Sequence, residues 1–196
     1  MATRRPSSPR HPSDHGPAPG QDELIALAKR VAQITKCPVV GGVAVLLHGG
    51  GRNTRDIDIY SEDLWRTHEV MESAGIMWDS KARAHIIDGV SVRMVDATAL
   101  GKAPARISKI KGVLVIALAD LIRTALSRGL AGLHRALDLS RVIDLIERIP
   151  LKKDFASKLP TKLRAPFKRL VDEVHEPRRT PLPTLKFFKT YGNLAS

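Results

Sequence analysis

The region between residues 22 and 48 alternates between apolar spacings typical of helices and of strands. Between Asp22 and Ile34 apolar residues recur every three or four positions, which predicts a helix. Pro38 ends this pattern, and the apolar pair Val39–Val40 predicts a short buried strand. Gly41–Gly42 interrupt the pair, and the run from Val43 to His48 predicts a second helix.

Strict alternation of apolar and acidic residues marks the segment 55–60. Ile57 and Ile59 fall on one face of an extended chain, and Asp56 and Asp58 fall on the other. The pattern predicts a half-buried strand with two carboxylates that point in the same direction.

Capping and turn residues divide the next part of the chain. Ser61, followed by two acidic residues, predicts the start of a helix that continues from Leu64 to Ala74. Residues 81–96 predict a β-hairpin that turns at Asp88–Gly89, since Asp-Gly pairs favour two-residue hairpin turns. The apolar run Val113–Leu118 predicts one more strand.

Helical spacing returns after this strand and continues through most of the remaining chain. It predicts helices from Asp120 to Gly129 and from Leu133 to Ile149, followed by a basic amphipathic helix from Phe155 to Val174. The order helix, strand, helix, strand, helix, hairpin, strand and helices predicts an α/β fold. We expect a mixed sheet flanked by helices, with a helical C-terminal part.

Composition separates the chain into three regions. Residues 1–20 are rich in Pro, Ser and Gly and nearly free of large apolar residues, which predicts a disordered tail. Residues 21–150 hold the α/β domain, and residues 151–196 hold a basic helical segment and an extended tail. Net charge is +12, and the last region holds eleven Lys and Arg against four Asp and Glu. Such a segment is typical either of a polyanion-binding surface or of a solvated basic helix.

The cysteine count and the lack of long apolar runs exclude several classes of protein. The single cysteine, Cys37, excludes a disulfide framework and a Cys-based zinc cluster, and is typical of a reducing cytosol. No apolar run reaches the roughly 20 residues that a transmembrane helix needs, and no secretory signal is visible. We therefore expect a cytoplasmic protein without a membrane partner.

Five glycines precede the paired aspartates within residues 41–60. The four residues HGGG, at 48–51, resemble the oxyanion-hole sequence of lipases and esterases. Those enzymes also need the nucleophile motif G-x-S-x-G, which the chain lacks, so a hydrolase triad is not expected. The glycine motifs of dinucleotide-binding and P-loop proteins are absent as well. The histidines show no paired spacing typical of zinc sites, and His48 is predicted to be a helix-end residue.

A second interpretation joins Gly41–Gly42 to Asp56 and Asp58. Residues two apart on a strand have Cα atoms ~7 Å apart and side chains on one face. Their carboxylates can bind one Mg²⁺ or bridge two ions roughly 4 Å apart. Glycines between a strand and a helix let phosphates approach backbone N–H groups, and Arg52 and Arg55 can neutralise a triphosphate. Together these residues predict a site for a nucleotide–metal complex.

The same residues form the pattern GG-x-A-x-x-x-H-G-x-x-R-x-T-x-D-I-D-I, which resembles the signature of the polymerase-beta-like nucleotidyltransferase superfamily. The likeness is strongest to the minimal bacterial branch that includes abortive-infection type toxin nucleotidyltransferases. The resemblance implies transfer of a nucleoside monophosphate from an NTP to an acceptor hydroxyl, with release of pyrophosphate. It implies Mg²⁺ or Mn²⁺ bound by Asp56 and Asp58. The residues that it implies for NTP binding are Gly41, Gly42, Arg52, Thr54 and Arg55.

The later part of the chain departs from that pattern. Many members of the superfamily carry a third carboxylate on a later strand, where this chain has Arg93, and Asp96 falls on the opposite face. Arg93 is expected either to compete with a metal for the carboxylates or to point to solvent. The toxin-like relatives place a lysine where this chain has Ala125, with Arg123 two residues earlier. They also place an acid in the following helix, so Asp138 is either the catalytic acid that the resemblance implies or an exposed helix residue.

Two functions from different classes therefore stay open. The first is a nucleotidyltransferase, for which the basic C-terminal segment suits RNA or tRNA as the acceptor. The second is a catalytically degenerate member that binds a nucleotide or nucleic acid without transfer. The toxin-like branch also implies an antitoxin or another protein as a partner. No aromatic residues are interleaved with the basic ones in the manner of a base-stacking platform.

Overall fold

The structure is a computed structural model that describes residues 19–51, 54–132 and 135–175. Residues 1–18 of the predicted disordered tail, the predicted extended tail after His175 and the predicted nucleotide-binding residue Arg52 lie outside these ranges. Within them, no helix is long and apolar enough to span a lipid bilayer.

Helices and strands alternate along the described chain. The strands are β1 (Val39–Val40), β2 (Asp56–Tyr60), β3 (Met77–Asp79), β4 (Ala84–Ile87), β5 (Val90–Val95), β6 (Ile107–Ile110) and β7 (Val113–Ile116). The helices are α1 (Gln21–Thr35), α2 (Gly41–Leu47), α3 (Leu64–Ser73), α4 (Ala97–Leu100), α5 (Leu118–Leu130), α6 (Ala136–Arg148) and α7 (Thr161–His175), with a 3₁₀ helix (Lys153–Lys158) before α7.

The elements with strong apolar patterns are confirmed, and the weakly patterned ones were missed. Three short elements, β3, β6 and α4, have no counterpart in the predictions. β3 is exposed at every position and β6 is at best half-buried, so neither carries the apolar run of a buried strand. The predicted single helix from Phe155 to Val174 is divided at Pro160. Leu159 is extended there, because a residue before proline disfavours the helical region.

The strands form one mixed sheet in the order β3-β4-β5-β2-β1-β7-β6, which confirms the predicted α/β fold. β1 is antiparallel to β2 and parallel to β7, and β2 is parallel to β5. In the β2–β5 register, Asp56 lies beside Ser91 and Asp58 lies beside Arg93. The neighbouring strand therefore brings Arg93 next to the paired aspartates.

The core explains the direction of the two aspartates. Ile57 and Ile59 have no exposed surface and belong to the apolar core to which α1, α2, β1 and β7 also contribute. Burying each isoleucine side chain stabilises the fold by about 1.5–3 kcal/mol. Because side chains alternate along a strand, this burial turns Asp56 and Asp58 to the other face.

The C-terminal helices are held together by a close contact. At Gly129 of α5, a Cβ atom would lie 2.9 Å from the backbone nitrogen of Leu139 in α6, so a larger residue would push the two helices apart. α7 packs against α6, and its Phe167 is fully buried in the same core. This packing sets polar side chains of α5 and α6 opposite β2.

Candidate functional site

A cavity of about 510 Å³ lies on the polar face of β2. Asp56, Asp58 and Gly41 line it on the sheet side together with Arg93 of β5. Helices α5 and α6 form the facing wall. The polar and small residues that these helices contribute are Thr124, Ala125, Arg128, Asp138 and Arg141. The cavity thus joins residues from segments that are far apart in the sequence.

The two aspartates are partly shielded from solvent and each has polar neighbours. Their side chains are 26 % and 20 % exposed. The Thr54 hydroxyl donates a hydrogen bond to Asp56 Oδ1 at 2.8 Å, so this predicted site residue orients a carboxylate. The Arg93 guanidinium forms an ion pair with Asp56, and its Nε lies 4.0 Å from Asp58 Oδ1.

Arg93 contacts the acidic pair and is also partly exposed, and its expected competition with a metal stays a prediction. Its side chain is 53 % exposed, yet its guanidinium contacts the acidic pair. It stands beside Asp58 in the strand register. Asp96 is not part of the acidic pair's surroundings, because its side chain caps α4 by accepting the N–H of Ala99.

Burial shapes the electrostatics of Asp58. Burial raises the pKa of this carboxyl, and the positive charges of Arg141 and Arg128 act in the opposite direction. An ionised Asp58 is therefore costly unless a cation lies close to it. The positive charges of α5 and α6 therefore stabilise the ionised form of Asp58 on the opposite wall of the cavity.

Gly41 and Gly42 provide room for the side chains around the acidic pair. Gly41 has a φ of +65°, and a Cβ atom there would collide with the Asp58 carboxylate. At Gly42 a Cβ atom would lie 2.5 Å from Thr54 Oγ1. The predicted phosphate-binding glycines thus let Asp58 and Thr54 pack against the start of α2, and Gly41 also lines the cavity.

Asp138 lies in the cavity wall but is not a free carboxylate. Its side chain is only 7 % exposed, and its two oxygens pair with Arg128 Nε at 3.2 Å and Arg141 Nη1 at 2.8 Å. Two positive partners stabilise the charged form of a buried carboxylate. In this structure Asp138 positions the two arginines that face the acidic pair.

Arg128 and Arg141 are site residues that sequence reasoning missed. Arg128 follows Ala125 by three positions, so both lie on one face of α5, and both line the cavity. This spacing was the available signal, because a cation one helical turn after Ala125 can reach the same space as a side chain at position 125. Arg123 points elsewhere: it pairs with Asp120 at 3.3 Å and donates to the carbonyl oxygen of Lys102.

Arg55 is not brought to the cavity. It is exposed and is not among the residues that line the cavity. It immediately precedes β2, where alternation assigns odd-numbered positions to the face of Ile57 and Ile59. Its contact with a triphosphate stays a prediction.

The glycine loop after α2 has a structural role. His48 is the C-cap of α2, as predicted, and its Nε2–H donates to the carbonyl of Ile116 at 2.8 Å. Burial lowers the pKa of His48, while this hydrogen bond acts in the opposite direction. The Gly51 N–H donates to Asp144 Oδ2 of α6 at 3.0 Å, so this amide is directed at a carboxylate of the protein itself.

An aromatic and histidine cluster forms at the rim of the cavity. Trp78 lines the cavity, and its ring packs against His85, whose Nε2 lies 2.9 Å from His68 Nδ1. Trp65 packs against His68 and is 71 % exposed. We call Trp65, His68, Trp78 and His85 the rim cluster. Sequence spacing did not predict this cluster, because its residues lie on α3 and on the β3–β4 hairpin and meet only in the folded chain.

The two histidines of the rim cluster differ in their surroundings. His85 is fully buried, whereas His68 is partly exposed. Burial lowers the pKa of His85, the adjacent His68 acts in the same direction and Glu72 acts against both. The surroundings of His85 therefore favour the neutral form of the imidazole.

Comparisons with protein-family models, with curated proteins and with solved structures find no match for this chain.

Proposed function

We propose that this protein transfers a nucleoside monophosphate from an NTP to an acceptor hydroxyl. The observation that carries the proposal is the pair Asp56 and Asp58 on one wall of a cavity whose facing wall presents Arg128 and Arg141. Carboxylates suit a divalent cation, and guanidinium groups suit phosphate oxygens. A nucleoside triphosphate with its metal is a ligand that needs both walls.

The donor set fits one Mg²⁺ or Mn²⁺. Asp56 and Asp58 offer oxygen ligands of the kind that Mg²⁺ prefers, and their position on one strand face lets both reach the same ion. They do not fit a site with three carboxylates, because Arg93 takes the third position. When bound, the ion would polarise the α-phosphate and lower the pKa of the attacking hydroxyl.

The charged residues of α5 and α6 would neutralise the negative charge of the phosphates. In the proposed reaction the acceptor oxygen bonds to the α-phosphorus, the bond to pyrophosphate breaks, and the hydroxyl proton leaves to water. Arg128 and Arg141 face the negative charge that develops on the phosphates, and Asp138 holds both guanidinium groups in place. In this proposal, Arg128 supplies the positive charge of the lysine that the resemblance implies at position 125.

The rim supports a role for the nucleobase or for an RNA acceptor. Trp78 is 45 % exposed and lines the cavity, so one face of an indole ring is accessible to a base. Stacking of one base on an aromatic side chain is worth about 1–3 kcal/mol. Exposed lysines of the 3₁₀ helix and α7, such as Lys158 and Lys162, add positive charge for an RNA or tRNA backbone.

One observation favours a second function, that of a nucleotide-binding module without transfer activity. The Arg93 guanidinium already pairs with Asp56 and stands beside Asp58, which is the place a metal needs. If Arg93 stays there, it replaces the metal charge and the cavity binds a nucleotide without catalysing transfer. The two functions differ in their dependence on a divalent ion and on the aspartates.

A transfer assay separates the two proposals. The purified chain is given each labelled NTP with Mg²⁺ or Mn²⁺ and total RNA. Asp56→Asn/Asp58→Asn is run beside it, and Asp22→Asn, at an exposed position of α1, is the control. Label on RNA or protein that requires both aspartates supports the enzyme. NTP binding that survives chelation and the double substitution, without transfer, supports the binding module. Neither binding nor transfer contradicts both.

A further inference from the structure

The rim cluster contains a set of metal-binding side chains separate from the acidic pair. His68 and Glu72 lie one turn apart on α3, and His85 projects from β4. One ligand atom from each of the three residues lies within 4.8 Å of the other two. The helix and the hairpin thus converge on one point through two imidazoles and one carboxylate.

The distance between the two imidazoles is the central observation. His68 Nδ1 and His85 Nε2 are 2.9 Å apart, so at least one nitrogen is unprotonated and presents a lone pair to the other. Two nitrogens bound tetrahedrally to one zinc ion at about 2.0–2.1 Å are separated by about 3.3 Å. An ion can therefore replace the shared proton once the two nitrogens separate by about 0.4 Å and the rings tilt so that both lone pairs point at the ion.

His85 is the interior ligand of the set. The residue is completely buried, and its Nδ1 has no hydrogen-bond partner among the described residues. Because Nε2 faces His68, Nε2 is the nitrogen that would bind the ion, and Nδ1 would then carry the ring proton.

From these contacts we infer that His68, Glu72 and His85 bind one transition-metal ion of the Zn²⁺ class. Two imidazole nitrogens favour such ions over Mg²⁺ or Ca²⁺, which prefer oxygen ligands. Glu72 already has an orienting contact, because its Oε1 accepts the backbone N–H of Trp78 at 2.9 Å. His68 and Glu72 are partly exposed, so water can complete the coordination.

The inferred site would stabilise the rim of the cavity. It ties α3 to the β3–β4 hairpin, and Trp78 of β3 packs on His85 with ring centroids 5.2 Å apart. A bound ion would therefore fix the indole that lines the cavity. The inference stands without nucleotidyl transfer, since the ligands are distinct from Asp56 and Asp58.

The test is a metal titration of the full chain after chelator treatment. Zn²⁺ affinity is measured by competition with a chromophoric chelator, and Co²⁺ is followed by its ligand-field absorption. The chain has two tryptophans, Trp65 and Trp78, and both contact the histidines of the site. Quenching of their fluorescence by Co²⁺ therefore reports an ion bound near the rim cluster, and the variants below separate this site from the acidic pair, whose cavity Trp78 also lines.

Two variants test proposed ligands, and a third is their control. We expect one equivalent of Zn²⁺ to bind the natural chain, with quenching by Co²⁺ at the same midpoint. His68→Ala is expected to weaken binding by more than the roughly 10–100-fold typical of losing an outer contact to a metal ligand. Glu72→Gln keeps the side-chain shape and is expected to weaken binding as well, whereas Glu69→Gln, on the exposed face of the same helix, leaves it unchanged.

Several results would overturn the inference. They are the absence of saturable Zn²⁺ binding, binding without a change in tryptophan fluorescence, and equal affinity in Glu72→Gln and Glu69→Gln. Binding that is lost in Asp56→Asn/Asp58→Asn and kept in Glu72→Gln would move the metal to the acidic pair. Far-ultraviolet circular dichroism verifies that each variant is folded, and Glu72→Gln carries the test if His68→Ala is not.

Discussion

Arg93 is the residue whose replacement tests the candidate site most directly. It forms an ion pair with Asp56 and lies beside Asp58, so its charge opposes a cation at the two carboxylates. We expect Arg93→Ala to raise the affinity of the acidic pair for Mn²⁺. The substitution is made at an exposed side chain, so the apolar core stays intact.

The size of the effect follows from the geometry. Arg93 Nε lies 4.0 Å from Asp58 Oδ1, and two unit charges at that distance interact by about 4 kcal/mol at an effective dielectric constant of about 20. The Arg93 side chain is 53 % exposed, so solvent screening reduces the value to about 1 kcal/mol for each carboxylate. Removing the guanidinium should therefore tighten Mn²⁺ binding roughly 5- to 30-fold.

The assay is a Mn²⁺ titration without nucleotide, followed by the electron paramagnetic resonance signal of free Mn²⁺. Arg30→Ala is the matched control. Arg30 also forms an exposed ion pair with an aspartate, Asp88, but neither residue lines the cavity. Arg93→Asp introduces a third carboxylate and is expected to bind Mn²⁺ more tightly than Arg93→Ala. Unchanged or weaker binding in Arg93→Ala would refute the competition between Arg93 and a metal.

Three further changes test the packing and electrostatics of the site. Gly41→Ala should lower Tm by more than Gly75→Ala in thermal unfolding. Both positions have positive φ, but only at Gly41 would a Cβ atom collide with a side chain, that of Asp58. Equal shifts in Tm would contradict this collision. Asp138→Asn should lower the free energy of unfolding by about 1–3 kcal/mol in urea titrations, since its partners are partly solvated, and the exposed pair member Asp172→Asn should change it little. Because burial raises the pKa of Asp58 in the folded state, the folded protein keeps the Asp58 proton at pH values just above 3.8, where the unfolded chain has lost it. Ionising Asp58 at higher pH therefore lowers the free energy of unfolding. Asp58→Asn should therefore gain stability relative to the natural protein as pH rises from 3.8 towards neutrality, and a pH-independent difference would contradict the burial argument.

Local patterns were sufficient for the elements that carry the acidic pair. The alternation of Ile57 and Ile59 with the aspartates requires only that one face of β2 is buried, and that requirement is visible in six consecutive residues. The hairpin turn at Asp88–Gly89 is equally local, since both residues adopt positive φ values there. Short exposed strands such as β3 escape such reasoning because no burial pattern marks them.

Tertiary structure decided which side chains share the site. Arg128 and Arg141 reach the acidic pair because α5 and α6 approach closely at Gly129, and Arg93 does so because β5 lies parallel to β2. His68 and His85 meet only when α3 packs beside the hairpin. The sequence by itself determined the direction of Asp56 and Asp58, since alternation and burial act within one strand. The partners of these aspartates depend on contacts between distant segments, and only the packing of the whole chain selects those contacts.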